Sequence, residues 1–162
     1  MRVIGFDPGL ATTGYGIIAE EEDSTIRSIE FGVISTPAKL SEGERLTILY
    51  KKIKEIICKH VPDCGAVEKI YFQQNVTNAL SVGQARGIIL LAMAELNLPV
   101  GEYSPLEVKQ AVTGYGRAEK SQIQRMVMTL LQLSNIPKPD DAADALSVAI
   151  CHINSHRLLS KI

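Results

Sequence analysis

The stretch RVIGFDPGLATTGYGIIAEEEDSTIRSIEFGVIST, from Arg2 to Thr36, decides the fold class, because three strand-like runs follow one another with only turn signals between them. RVIGFD gives way to PGLATTG, YGIIAE gives way to the charged turn EEDS, and TIRSIEFGVIST completes the set. Gly, Pro, Asp and Ser punctuate the apolar runs as short connections require. Three sequential strands with such short links form an antiparallel meander.

Beyond Thr36 the period changes. Ser41 and Glu44 make a capping box, and Leu46, Leu49, Ile53, Ile56 and Ile57 then fall on one face of a helix ending near His60. GAVEKIYF (65–72) reads as a buried strand, NALSVGQARGIILLAMAELN (78–97) as a long helix and PVGEYS (99–104) as a short strand. SPLE is a second capping box, with Pro105 at the first helical position and Gly114 closing the helix. Two further helices are expected, from about Glu119 to Leu133 and from Asp141 onward, separated by the proline-bearing SNIPKP. A meander followed by alternating helices and strands predicts one α/β domain over residues 1–162, its later strands joined in parallel by crossovers.

The 162 residues are 46% hydrophobic and 22% charged, in the range of one domain with a full core. With 17 basic against 18 acidic residues, net charge singles out neither nucleic acid nor an acidic membrane as partner, so a polyanion would need a local basic face. MRVIGFDPG is too short in its apolar run for a signal peptide, and GIILLAMAEL is too short to span a bilayer. A soluble, cytoplasmic protein with no membrane partner is expected. Cys58, Cys64 and Cys151 lack zinc-ribbon spacing and are expected to be buried thiols.

The acidic residues carry the chemistry. In sheets of this class, functional side chains gather at the carboxyl ends of strands, which selects Asp7 and Glu68. Asp7 could simply initiate the DPG turn, and Glu68 could pair with a nearby Lys or Arg, since a lone carboxylate among Ala66, Val67 and Ile70 needs a cation. The stretch PDDAADALSVAI (139–150) adds Asp141 and Asp144, three apart and so on one helix face, while Asp140 is expected as the cap. Ala142, Ala143 and Ala145 leave room for close docking on a sheet. If that helix begins beside the ends of strands one and four, Asp7, Glu68, Asp141 and Asp144 converge. Four hard oxygen donors suit Mg2+ or Mn2+ and suit zinc poorly, and two such ions about 3.5–4 Å apart can drive phosphodiester hydrolysis. DPGLATTG also resembles the phosphate-binding turn of actin-like ATPases, but those fold two such domains around ATP and this chain has length for one.

GFDPGLATTGYG, AVEKIYF, NALSVGQARG, VKQAVTGYGRAEKSQIQRMV and DDAADALSVAI occur in the order and at the intervals that resemble the RuvC family, the bacterial Holliday-junction resolvases of the ribonuclease-H-like superfamily. The likeness covers essentially the whole chain. It implies a three-layer α/β/α fold on a five-stranded mixed sheet, and it puts the family's catalytic, metal-binding carboxylates on Asp7, Glu68, Asp141 and Asp144. It further implies a homodimer with two Mg2+ per subunit, Mn2+ substituting. Such a dimer nicks a four-way DNA junction symmetrically, leaves 5′-phosphate and 3′-hydroxyl ends, and works with the branch-migration proteins RuvA and RuvB. A junction-binding protein without catalysis is the alternative.

Lys109, Arg117, Lys120 and Arg125 supply a basic segment for phosphate contacts, with Arg125 expected on a solvated face. Lys120 is the candidate to stabilise charge on the transition-state phosphate. Tyr71 matches the family's base-contacting aromatic by offset, and Phe72 beside it is either a second DNA contact or a partly buried strand end. Lys69 stands where the family commonly has glutamine. Gly83 and Gly87, four apart on one helix face, fit either packing on the domain's own sheet or a dimer seam. His152 and His156 lack a second ligand pair for zinc and are expected on a solvated last helix.

Overall fold

The computed structural model describes residues 1–69 and 76–159, without the side chains of 76–78. Five strands, β1 (Arg2–Asp7), β2 (Thr12–Glu20), β3 (Ile26–Ser35), β4 (Cys64–Glu68) and β5 (Val100–Tyr103), form one sheet in the order β3-β2-β1-β4-β5. The meander is antiparallel, whereas β4 and β5 add in parallel to β1 and to each other. Register shifts between Ile17 and Ile18, where β2 pairs with β3. Helices α1 (Glu42–His60) and α2 (Val76–Glu95) cover one face, and α3 (Pro105–Thr113), α4 (Lys120–Leu130) and α5 (Asp140–Leu159) the other. The result is a three-layer α/β/α sandwich on a mixed sheet.

Strand alternation divides the core in two. Ile4, Phe6, Ile17 and Val67 point toward α1 and α2, where Leu49, Ile53, Ile89 and Met93 meet them fully buried. Val3, Ile18 and Ala66 point the other way, toward Val108, Ile123, Leu146 and Ile150. Both capping boxes are formed: Ser41 with Glu44 opens α1, and Ser104 with Glu107 opens α3, which Gly114 closes in the left-handed conformation at φ 74°. No helix among the described residues is long and apolar enough to cross a membrane.

The structure departs from the sequence expectations at five places. β2 starts at Thr12, because Thr12–Gly14 pair with Val33–Ser35 and extend the hairpin into the supposed turn. The strand expected over 65–72 ends at Glu68, with Lys69 already outside it, and residues 70–72 of the expected stretch lie outside the described residues. α4 stops at Leu130, with Gln132 at φ 53° turning the chain away. Cys58 is exposed on the outer side of α1, while Cys64 and Cys151 are buried. His152 is not on a solvated face: Gly101 leaves room for its ring, and Nδ1 lies 3.0 Å from the Tyr103 hydroxyl. His156 is exposed.

Candidate active site

Asp7 and Glu68 end the two central parallel strands. Because Phe6 pairs with Val67, the next residue of each strand turns its carboxylate to the α5 face at neighbouring positions. α5 reaches them by lying almost directly on the sheet backbone. A methyl group at Gly14 would overlap the Asp141 carbonyl, one at Gly5 the Ala145 carbonyl, and one at Gly16 the Leu146 side chain. Ala142, Ala145 and Ala149, all fully buried, keep the helix side of the contact equally thin. The first turn of α5, with Asp141 and Asp144, is thereby set over the ends of β1 and β2.

Asp7, Glu68 and Asp144 line one cavity of about 240 Å³, with Lys109 from α3 and Lys120 from α4 on its rim and Val108 and Ile123 in its wall. Asp141 lies outside the lining, although its charge still acts on Asp7. Burial, reinforced by the charges of Asp144, Glu68 and Asp141 and opposed by Lys120, pushes the Asp7 carboxyl up to about 7. Burial and then the Asp144 charge raise Glu68, with Lys109 opposing; burial raises Asp144 against the pull of Lys120. Like charges gathered in a half-dry cleft call for a cation.

Lys120 supplies one. Its ammonium lies 3.1 Å from Asp144 Oδ2 and 3.2 Å from Asp140 Oδ2, and these hydrogen bonds raise its pKa although burial alone would depress it. Among the described residues no three acidic, His or Cys side chains close into a ready-made metal cage. The charged oxygen donors around the cavity are nevertheless all carboxylates, with the Ser147 hydroxyl engaged on the Ala143 carbonyl at 2.9 Å, a set that fits a hard divalent cation.

Arg117 is exposed in the link between α3 and α4 and does not line the cavity; Arg125 is exposed on α4, as expected. Tyr71 and Phe72 lie outside the described residues. Lys69 is exposed just past Glu68, its backbone N–H bonded to the Tyr103 carbonyl at 2.7 Å.

Three features escaped the sequence reading. Asp140 is the first residue of α5 rather than its cap: the Pro139 carbonyl accepts from Ala142 and Ala143, and the Asp140 side chain turns to α4. Arg86 on α2 donates from Nε to the Glu68 carbonyl at 3.3 Å and pairs with Glu102, bracing the strand end from the opposite face. The strand glycines carry a signal that was there to find, since Gly14 and Gly16, two apart, mark one face of β2 as bare.

Residues 3–152 match the family described as crossover junction endodeoxyribonuclease RuvC. The RuvC of Halothermothrix orenii is 55% identical over 161 residues, covering 99% of this chain and 97% of that protein. The structure of Thermus thermophilus RuvC superimposes with a TM-score of 0.90 at 34% identity, over 98% of this chain and 96% of that one. The same protein in complex with Holliday junction substrate gives 0.89 at 32%, with the same coverage. From the ribonuclease-H-like sheet to the acidic cleft at its strand ends, and over nearly its full length, the chain belongs to the RuvC family of crossover junction endodeoxyribonucleases.

Proposed function

We propose that this protein resolves four-way DNA junctions by metal-assisted phosphodiester hydrolysis at the cavity of Asp7, Glu68 and Asp144. The observation that carries the reading is the coincidence of buried carboxylates and two lysines at the ends of the central parallel strands, in a chain similar throughout to a protein solved with a Holliday junction. Asp7, Glu68, Asp141 and Asp144 would hold Mg2+, two ions per subunit, with Mn2+ as substitute. The bound ions would activate a water and stabilise the leaving oxygen. The chain's own part is to hold the carboxylates in place, to favour their charged forms through Lys109 and Lys120 against the effect of burial, and to exclude bulk water with Val108 and Ile123. Lys120 offers a positive charge to the phosphate, Lys109 and Arg117 bind the backbone nearby, and Tyr71 and Phe72 contact opened bases. The resemblance to the family implies that hydrolysis leaves 5′-phosphate and 3′-hydroxyl ends.

Symmetrical nicking needs two such sites. Leu80, Gly83, Gly87 and Leu91 are exposed along one face of α2, and among the described residues nothing beyond the helix's own neighbouring backbone comes within 4 Å of a methyl group placed on Gly87. A bare glycine in an apolar stripe favours a dimer seam over packing on the domain's own sheet. The resemblance adds RuvA and RuvB as partners, and the cytoplasm expected from the sequence is the place of action.

One observation favours a second reading, a junction-binding protein without catalysis: Lys120 already satisfies Asp144. Cleavage of a synthetic four-way junction in Mg2+, by wild type and Asp141→Asn beside a linear duplex, decides between them. Paired nicks in the junction alone, lost in the variant while binding persists, are expected. Binding without cleavage by wild type would select the second reading.

A further inference from the structure

Asp140 stands beside the four carboxylates assigned to the metal, and its contacts run away from them. Its Oδ1 accepts a hydrogen bond from the Gln124 amide at 3.0 Å, while Oδ2 lies 3.2 Å from the Lys120 ammonium. Lys120 and Gln124 are one turn apart on α4, so the same helix face that carries the lysine fixes the orientation of the carboxylate that holds it. The ammonium has three protons and shares them between Asp140 and, at 3.1 Å, Asp144. The two seats differ. Asp144 lines the cavity, whereas Asp140 is exposed and outside it.

A lysine whose sole partner was Asp144 would oppose metal binding, since both cations need that carboxylate. Once the metal took it, the lysine would be released to solvent, its charge repelled by the incoming ion. A second anion one turn earlier on α5 changes that outcome. We propose that Asp140 is a positioning residue: it retains the Lys120 ammonium at the cavity rim when a divalent cation occupies Asp144. The inference rests on the reading of Asp144 as a metal ligand, and it answers why α5 opens with adjacent aspartates when Pro139 already supplies the capping carbonyl. Lys138, whose charge also reaches Asp140, offers the carboxylate a weaker second partner.

Two measurements on the full chain test it. In the first, Lys120 acetylation by an N-hydroxysuccinimide ester is followed by peptide mass spectrometry, with and without saturating Mg2+. In Mg2+, Asp140→Asn is expected to raise Lys120 reactivity about 3-fold over wild type, the size of coupling found between partly exposed ion-pair partners. Without metal the two proteins should differ less, because Asp144 still holds the amine. In the second, single-turnover junction cleavage is measured for wild type, Asp140→Asn, Lys120→Met and the double variant. Asp140→Asn should slow the reaction about 3- to 10-fold when Lys120 is present and not at all in Lys120→Met, and Asp140→Glu should recover part of the loss. Unchanged Lys120 reactivity in Mg2+, or equal slowing by Asp140→Asn in both backgrounds, would overturn the proposal. If wild type binds but never cuts junctions, the nuclease reading fails, and the acetylation result alone still decides whether Asp140 holds the lysine.

Discussion

The two faces of the sheet are built on opposite terms. Toward α1 and α2 the strands present Ile4, Phe6 and Ile17, and the helices answer with Leu49, Ile53, Ile89 and Met93, so side-chain volume sets the distance between layers. Toward the first half of α5 they present Gly5, Gly14 and Gly16, and the helix answers with its own carbonyls, with alanines and, over Gly16, with Leu146, so that at Gly5 and Gly14 backbone rests on backbone. A core filled by large flexible groups tolerates rearrangement at modest cost. Where the nearest atom is a backbone carbonyl, as at Gly5 and Gly14, there is nothing that can rearrange, and the contact fixes the height of Asp141 and Asp144 above Asp7 and Glu68. Both faces carry a buried core, and positional accuracy is concentrated where α5 meets the strand glycines.

Variants on each face should therefore separate activity from stability, and we order them by their expected effect on junction cleavage. Asp7→Asn should lower the cleavage rate about 10³-fold, the scale of losing several kcal/mol of metal-supplied stabilisation. Its melting temperature in EDTA at pH 8 should rise, since it removes a charge that burial, and then repulsion from Asp144, Glu68 and Asp141, disfavour. Gly14→Ala should push α5 off β2, costing about 1–3 kcal/mol in denaturant titrations and about 10²-fold in rate through misplacement of the aspartates. Ile53→Ala, fully buried on the opposite face, should cost about 2–5 kcal/mol while changing the rate of the folded protein less than about twofold. A large rate loss in Ile53→Ala, or none in Gly14→Ala, would break the comparison.

The smallest effect is a difference in sign with pH. Folded Asp7 keeps its proton to about pH 7, against 3.8 as the ordinary value, so between those limits the native state binds more protons than the unfolded chain. Metal-free stability should fall as pH rises from about 4 to about 7 and then level off, by an amount on the order of 4 kcal/mol. Saturating Mg2+ should abolish the decline. On the α1 side the Lys59 ammonium holds Glu30 below its ordinary 4.5, so its contribution is present above that pH and is lost on acidification. Denaturant midpoints across pH 3–9, in EDTA and in Mg2+, measure both.

Much of this was legible before folding because it is written in local chemistry. Both capping boxes, Pro105 at the start of α3 and Gly114 at its end are nearest-neighbour features, and they appear where the spacing puts them. The end of β1 at Asp7 was legible for the same reason, whereas β4 was expected to run on past Glu68, because the apolar residues of EKIYF continue a strand-like pattern beyond the point where the strand ends. The partner of Asp140 was not, because a lysine twenty residues earlier reaches it only once α4 and α5 pack. His152 and Cys58 were misjudged on the same ground, since their exposure depends on Gly101 and on the outer side of α1 rather than on their neighbours in sequence. The bare stripe of Gly14 and Gly16 was visible, but glycines in a hairpin suggest turns before they suggest an approaching helix.

The contact between α5 and the strand glycines also bears on how such a protein can change over generations. A lineage can exchange isoleucine for leucine or methionine under α1 one step at a time, each intermediate still folding. At Gly14 no single step is open, because the first methyl group already collides with the Asp141 carbonyl and no partner side chain can shrink to receive it. Drift is therefore channelled to one side of the sheet, and the other side keeps its residues for as long as the lineage keeps its chemistry.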